Sequence, residues 1–403
     1  MMIARDLQPE LLRAASEYPV VTLLGPRQSG KTTLARMAFP DKPWVSLEDP
    51  DVRLSAEADP RGFLTQYPQG AILDEVQRLP DLLSYLQGWV DREPSRKGRF
   101  ILTGSHQPLL SAAIGQSLAG RTAVLTLWPF TVPELRQYGR TLSTWELVVR
   151  GSYPRVHQDA LDARRFYASY VQTYVERDVR ALVQLRDLTV FQKFLVLLAG
   201  RIGQVVNLSS LGNDVGVTAH TLRQWLSVLQ ASFLVLPLTP YHTNVGKRVI
   251  KSSKLYFADV GLAAYLLGIQ TAEQAQRDPL RGALYENLWV AETYKQLAHR
   301  GEVPNLNFYR DSNGNEVDLL VRRNGQLHAL EIKSAATFNP SFCHGITRFQ
   351  AATPEPLASA QVWFDGTQRH AVHAVQALNP LYEEAPSPWL QDRPAAESLP
   401  AGR

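Results

Sequence analysis

The residues best suited to chemistry lie near the N-terminus. Gly25, Pro26, Arg27, Gln28, Ser29, Gly30, Lys31 and Thr32 run in the order G-x-x-x-x-G-K-[ST], with Thr33 behind them, directly after the apolar run Pro19-Val-Val-Thr-Leu-Leu24. A glycine-rich turn placed after a strand can point its backbone N–H groups inward around phosphate oxygens, and a helix opening at Lys31 presents its positive end to them. The Lys31 ammonium supplies a point charge for the β- and γ-phosphates, and the Thr32 hydroxyl supplies a ligand for Mg2+. The ligand this spacing calls for is a nucleoside triphosphate with its Mg2+.

A second apolar run, Ala71-Ile-Leu-Asp-Glu75, ends in two carboxylates. Asp74 is the candidate to complete the Mg2+ shell, and Glu75, one residue further, to deprotonate or orient an attacking water. That arrangement suits hydrolysis better than transfer to a metabolite. A third run, Arg99-Phe-Ile-Leu-Thr-Gly-Ser105, ends in small polar residues, of which Ser105, in preference to Thr103, is the candidate to sense the γ-phosphate.

A second cluster of carboxylates lies far along the chain. Asn315–Val321 and Leu327–Lys333 flank Asn324-Gly325, a two-residue hairpin signal. With those two residues as the turn, Asp318 faces Glu331 and Glu316 faces Lys333. Like charges opposed across strands repel. A divalent cation between Asp318 and Glu331 would relieve this, with Lys333 beside it to stabilise a water or phosphoryl oxygen. Glu286, on the preceding helical stretch from Leu284 to Leu297, is the candidate for a further acid. The plainer alternative is a solvated sheet face with Glu316 and Lys333 as a surface pair.

The middle of the chain is basic. The net charge of +4 divides into +1 over residues 1–160, +7 over 161–255 and −4 over 256–403. Positive charge of this kind fits an anionic partner such as DNA, or simply a solvated helical surface. Within it, Val206–Thr218 followed by Ala219–Leu229 reads as a helix-turn-helix with the first helix ending at Gly216, and Leu222, Trp225, Leu226 and Leu229 giving the second helix an apolar face. His220, Thr221, Arg223 and Gln224 fall near the start of that helix, where base edges or phosphates are contacted. Two β segments, Phe233–Leu236 and Lys254–Phe257, bracket a loop with Lys247, Arg248, Lys251 and Lys254, a basic wing over a DNA backbone.

These residues resemble the AAA-type P-loop ATPases, in particular a prokaryotic family that joins such a domain to a C-terminal module. The Walker-A-like Gly25–Thr32, the Walker-B-like Leu73-Asp-Glu75, Leu102-Thr-Gly-Ser105, Ser117-Leu-Ala-Gly-Arg121, Gly151-Ser-Tyr-Pro154 and Tyr174-Val-Glu-Arg-Asp178 carry the resemblance. It implies ATP hydrolysis and assembly into rings, with Arg121 reaching a neighbour's γ-phosphate and Arg155 as an alternative lid arginine. Asp318-x12-Glu331-x-Lys333 resembles the core of PD-(D/E)XK nucleases, in which DNA binding can outlast cutting.

Apolar runs must alternate with helices to position the first set of residues, which is the pattern of a parallel sheet with covering helices. The fold expected is an α/β P-loop NTPase domain over residues 1–137, then a helical connector over 138–200. A winged helix-turn-helix over 201–272, a PD-(D/E)XK nuclease-like α/β domain over 273–382 and a loose tail over 383–403 complete the chain. The aromatic stripe Phe166, Tyr167, Tyr170, Val171 and Tyr174 reads as core. With 403 residues, 45% of them apolar, there is ample material for several packed units. One cysteine, Cys343, excludes an internal disulfide framework. No apolar run reaches the ~18 residues of a membrane span, and a cytoplasmic location is expected. The rival functions are an ATP-gated metal-dependent DNA nuclease and a nucleotide-switched module for protein partners. A small-molecule kinase fits least.

Overall fold

The computed structural model describes residues 3–105, 108–175, 187–241, 252–383 and 386–390. Its first half is built on five parallel strands, β1 (Val20–Leu24), β2 (Trp44–Ser46), β3 (Ile72–Asp74), β4 (Phe100–Thr103) and β5 (Thr122–Thr126), in the order β2-β3-β4-β1-β5. Continuous rather than alternating apolar residues require cover on both faces, and every residue of β1 and β4 is buried. Leu7, Leu11 and Leu34, from the helices at Gln8–Glu17 and Lys31–Ala38 and the residue before them, pack on Val21, Leu23 and Ile101 on one face. Leu82, Leu83, Leu86 and Val90 pack on Val20, Leu24 and Leu102 on the other. Because the strands run in parallel, the turns after β1, β3 and β4 leave the same edge of the sheet. That single topological fact brings the three sequence runs together.

The second half holds an eight-stranded mixed sheet. Its strands are β6 (Val235–Pro240), β7 (Lys254–Phe257), β8 (Leu306–Arg310), β9 (Glu316–Arg323), β10 (Gln326–Lys333), β11 (Leu357–Phe364), β12 (His370–Val372) and β13 (Val375–Leu378), in the order β12-β13-β11-β10-β9-β8-β6-β7. Asn324 and Gly325, with φ of 51° and 75°, form the two-residue turn, and Gln326 pairs with Arg323 as that turn requires. The long helix Arg281–Ala298 lies on this sheet, and among its buried residues are Trp289, which packs edge-on to Trp363 of β11.

The helix-turn-helix is present as helices Leu208–Val215 and Ala219–Ala231, with Gly216 in the left-handed conformation between them. Phe166, Tyr167 and Tyr170 are core, as the stripe implied. Three expectations need correction. Phe233 is a left-handed turn residue with φ 59°, and the strand begins only at Val235, because the preceding helix runs to Ala231. Strands β6 and β7 do not close a separate winged unit: Thr239 and Pro240 pair with Asn307 and Phe308 of β8, making them the edge of the C-terminal sheet. One apolar core runs from Ile3 and Phe130 through Phe191 and Trp225 to Trp363 and Trp389, so the middle and C-terminal segments pack as one body.

Of the tail expected to be loose from residue 383, the described residues 386–390 are anchored, while 384–385 and 391–403 lie outside the described residues. Trp389 is buried and stacks on Trp363, and Arg300 donates to the Leu390 carbonyl at 2.8 Å. A large aromatic ring outweighs a polar, proline-rich surrounding. The residues expected to form the wing, Lys247, Arg248 and Lys251, lie outside the described residues, as do 176–178 of the Tyr174–Asp178 marker. Among the described residues no helix is long and apolar enough to cross a membrane.

Candidate nucleotide site and a carboxylate–lysine cluster

The turn after β1 has the backbone its sequence demands. Gly25 adopts φ 146°, and a Cβ there would overlap the carbonyl oxygen of Leu127. Gly30, at φ 94°, opens the helix Lys31–Ala38 from the left-handed region. Gln28 is held at φ 62°, a costly conformation for a residue with a side chain. Lys31 is buried and folds back onto the loop, donating to the carbonyls of Gly25 at 3.1 Å and Pro26 at 2.8 Å. Burial pulls its ammonium down to about 8, against the opposing pull of Glu75.

Thr32 donates to Asp74 Oδ1 at 2.8 Å, so the first helical turn and the end of β3 meet. Thr103, at the end of β4, donates to the same oxygen. Glu75 follows in the left-handed conformation, φ 58°, and accepts from the Gln77 amide. Strain of this kind at the residue after Asp74 costs about 1–3 kcal/mol and persists where surroundings enforce it. The sheet edge therefore assembles Lys31, Thr32, Asp74, Glu75 and Thr103.

Ser105 is close by but differently engaged. Its hydroxyl is buried without a hydrogen-bond partner, in a narrow cleft with Arg27, Tyr170, Tyr174 and Ser232. The Gln28 amide donates to the Tyr174 hydroxyl at 2.9 Å, and Arg27 lies over the Tyr174 ring at 5.5 Å. Arg121 is not brought to this edge. It precedes β5, at the opposite end of the sheet, and makes a two-pronged pair with Asp91 at 2.6 and 2.9 Å. Arg155 is exposed and pairs with Asp159 at 3.1 Å, while its neighbour Pro154 approaches Gly30.

In the helix-turn-helix, His220, Arg223 and Gln224 are exposed and Thr221 is partly so, with Thr218 capping the helix through the Thr221 N–H. Arg223 lines an open groove of about 750 Å³ together with Asn207, Ser209, Ser227 and Ser253.

The C-terminal carboxylates converge, though not as expected. Lys333 Nζ lies 3.1 Å from Asp318 and 2.7 Å from Glu331 and so bridges the two acids. Glu316 pairs with Lys254 at 2.5 Å, not with Lys333. The hairpin ladder is continuous only to Leu330 and Leu319; beyond it Asp318 accepts the Ile332 N–H, and Glu316 turns to β8 opposite Arg310. Lys254, expected in an exposed basic wing, is buried and also binds Glu286 at 3.0 Å, which accepts from Tyr256 as well. Among the described residues no three acidic, histidine or cysteine side chains are gathered for a metal ion, so Glu286, Asp318 and Glu331 do not form a preassembled three-acid site.

Burial and the neighbouring Asp318 push both Glu286 and Glu331 above the usual carboxylate range. Lys254 and Lys333 are held above the usual amine range, their burial outweighed by the surrounding acids. Sequence reasoning ranked Thr103 behind Ser105, read Tyr174 as core and Lys254 as part of a basic loop, and missed Tyr256. For Tyr256 the signal was its spacing to Lys254, alternate residues of one strand face.

Three family models match segments of the chain. Residues 17–136 match the family described as AAA domain, and residues 142–273 and 281–382 match two families described as domains of unknown function, DUF8612 and DUF4143. An uncharacterized protein of Mycobacterium tuberculosis, Rv2008c, is 33% identical over 337 residues, covering 83% of this chain and 74% of the relative. An uncharacterized protein of Haemophilus influenzae is 23% identical over 307 residues, covering 68% and 76%. Among solved structures, the Walker-type ATPase of Pyrococcus abyssi is similar over 65% of this chain and 94% of its own, with 15% identity and a TM-score of 0.43. AMPPCP-bound DnaA from Aquifex aeolicus is similar over 56% and 91%, with 12% identity and a TM-score of 0.30.

Proposed function

We propose that this chain, which belongs to the same family as the uncharacterized Mycobacterium tuberculosis protein Rv2008c and carries an AAA-type P-loop domain, hydrolyses ATP with Mg2+ in the cytoplasm and acts on or with DNA. The observation that carries the hydrolytic reading is the Thr32–Asp74 hydrogen bond at the mouth of the phosphate loop, with Glu75 beside it. Thr32 and Asp74 are hard oxygen donors held together, which suits a Mg2+ ion bridging to phosphate. The cation would supply charge neutralisation of the β- and γ-phosphates. Lys31 would leave the Gly25 and Pro26 carbonyls for phosphate oxygens, Glu75 would orient or deprotonate water, and Ser105 would report the γ-phosphate. The experiment is ATP turnover with and without single-stranded, duplex and branched DNA. Lys31→Ala is expected to abolish it and Glu75→Gln to trap bound ATP; normal turnover in Glu75→Gln removes the assigned base.

The DNA part of this reading rests on the exposed His220, Arg223 and Gln224 at the start of the second helix of the helix-turn-helix. Turnover that ignores DNA, or DNA affinity indifferent to salt, counts against it. Ring assembly belongs to the same reading: Arg121 would exchange Asp91 for a neighbour's γ-phosphate.

A second reading, a metal-dependent nuclease centred on Asp318, Glu331 and Lys333, is favoured by one feature. Glu331 Oε2 is buried without a hydrogen-bond partner. A divalent ion there would have to displace Lys333 and recruit ligands besides these acids. DNA cutting with Mn2+ that disappears in Asp318→Ala would support it.

A further inference from the structure

Against the phosphate loop, joined to it at the Ser29 carbonyl, lies a buried polar cluster that the proposed reaction has not used. Its centre is Arg5, seven per cent exposed. The guanidinium donates to the Ser29 carbonyl at 2.8 Å, the Trp128 carbonyl at 2.6 Å and Glu134 Oε1 at 3.0 Å, with the Phe130 ring 4.7 Å away. Glu134 is fully buried and also accepts the backbone N–H groups of Asp6 at 2.7 Å and Thr131 at 2.8 Å. Burial alone would raise its carboxyl, but Arg5 and His299 hold it well below the usual range.

The cluster continues into the long helix Arg281–Ala298 and the residue after it. His299 Nε2 accepts the Trp128 N–H at 3.1 Å, which leaves Nδ1 to carry the ring proton towards Glu134, 3.5 Å away. Lys295 donates to the Phe130 carbonyl and Glu292 accepts the Val132 N–H, each at 2.8 Å. Side chains at three- and four-residue spacing on the helix thus hold alternate residues of the segment that follows β5. Arg5 joins that fixed segment to the loop.

We infer that Arg5 is a positioning residue for the nucleotide site. A trans peptide keeps its C=O and N–H on opposite sides of the chain. Tying the Ser29 carbonyl to Arg5 therefore turns the Gly30 N–H away from Arg5, and fixes the start of the helix whose first residues are Lys31 and Thr32. The planar fork matters as much as the charge, because three acceptors lie in three directions. A lysine ammonium offers no matching geometry. This inference rests on the ATP reading.

The test uses the full chain. The affinity of the wild type for a fluorescent non-hydrolysable ATP analogue is measured first, then that of Arg5→Lys, together with kcat, KM and the thermal midpoint without nucleotide. Arg5→Lys is expected to bind about tenfold more weakly, the loss of one charge-assisted hydrogen bond, beyond any change in the nucleotide-free midpoint. Where Arg5→Lys does not fold, Arg5→Ala is measured with and without added guanidinium ion, which is expected to restore affinity. Unchanged affinity in folded Arg5→Lys overturns the inference. So does Arg5→Ala that is unfolded, or folded and not rescued. A wild type that binds no analogue overturns the ATP reading itself, and that result is visible before any variant is made.

Discussion

Lys254 stands between two carboxylates from different elements, 3.0 Å from Glu286 on the long helix and 2.5 Å from Glu316 on β9. Being buried itself, it is the countercharge shared by Glu286 and Glu316, with the field of Asp318 adding to theirs. Removing one partner of a buried ion pair leaves the others uncompensated, at a cost of about 3–5 kcal/mol. Lys254→Met should therefore lower stability to denaturant by that order, with the double variant Lys254→Met/Glu286→Gln recovering part of the loss. A denaturation midpoint unchanged in Lys254→Met would show that the ammonium is dispensable.

Glu134 gives a pH signature of known sign. Its folded-state carboxyl lies below the ordinary value, so the stability it contributes is present above the unfolded value of about 4.5 and is lost as pH falls below it. The wild type should lose stability on acidification below about pH 5, and Glu134→Gln should show a shallower dependence there while being less stable by about 3–5 kcal/mol at neutral pH, where Arg5 is left unpaired. Thermal midpoints of both proteins across that range decide it; parallel curves would place the acid sensitivity elsewhere.

Gly25 tests the phosphate loop without touching any side chain. Gly25→Ala adds a methyl group at φ 146° against the Leu127 carbonyl, so the loop must shift from β5. A loss of about 2 kcal/mol in stability, or more, is expected, together with loss of binding to an ATP analogue. Calorimetry showing wild-type affinity in Gly25→Ala would mean that the loop tolerates displacement.

The sequence already carried the phosphate loop, because a strand, a glycine turn and a helix are local structure and their spacing is their geometry. It also carried the Asn324-Gly325 hairpin and the helix-turn-helix, since turn chemistry and 3.6-residue periodicity need no distant partner. The meeting of Thr32 with Asp74 followed once parallel strands were inferred, for then both turns leave the same edge. Tertiary structure alone decided the partners of the charged groups. Lys254 reads as a member of a basic loop, yet burial among acids from residues 286 and 316 makes it part of a core. Trp389 sits in a proline-rich tail, yet Trp363 supplies a surface for it. Arg5 carries no motif at all; its role depends on Ser29, Trp128 and Glu134 arriving at one point. Coulombic and hydrogen-bond partners are chosen by proximity in space, and spacing along the chain does not encode which separate elements the fold brings together.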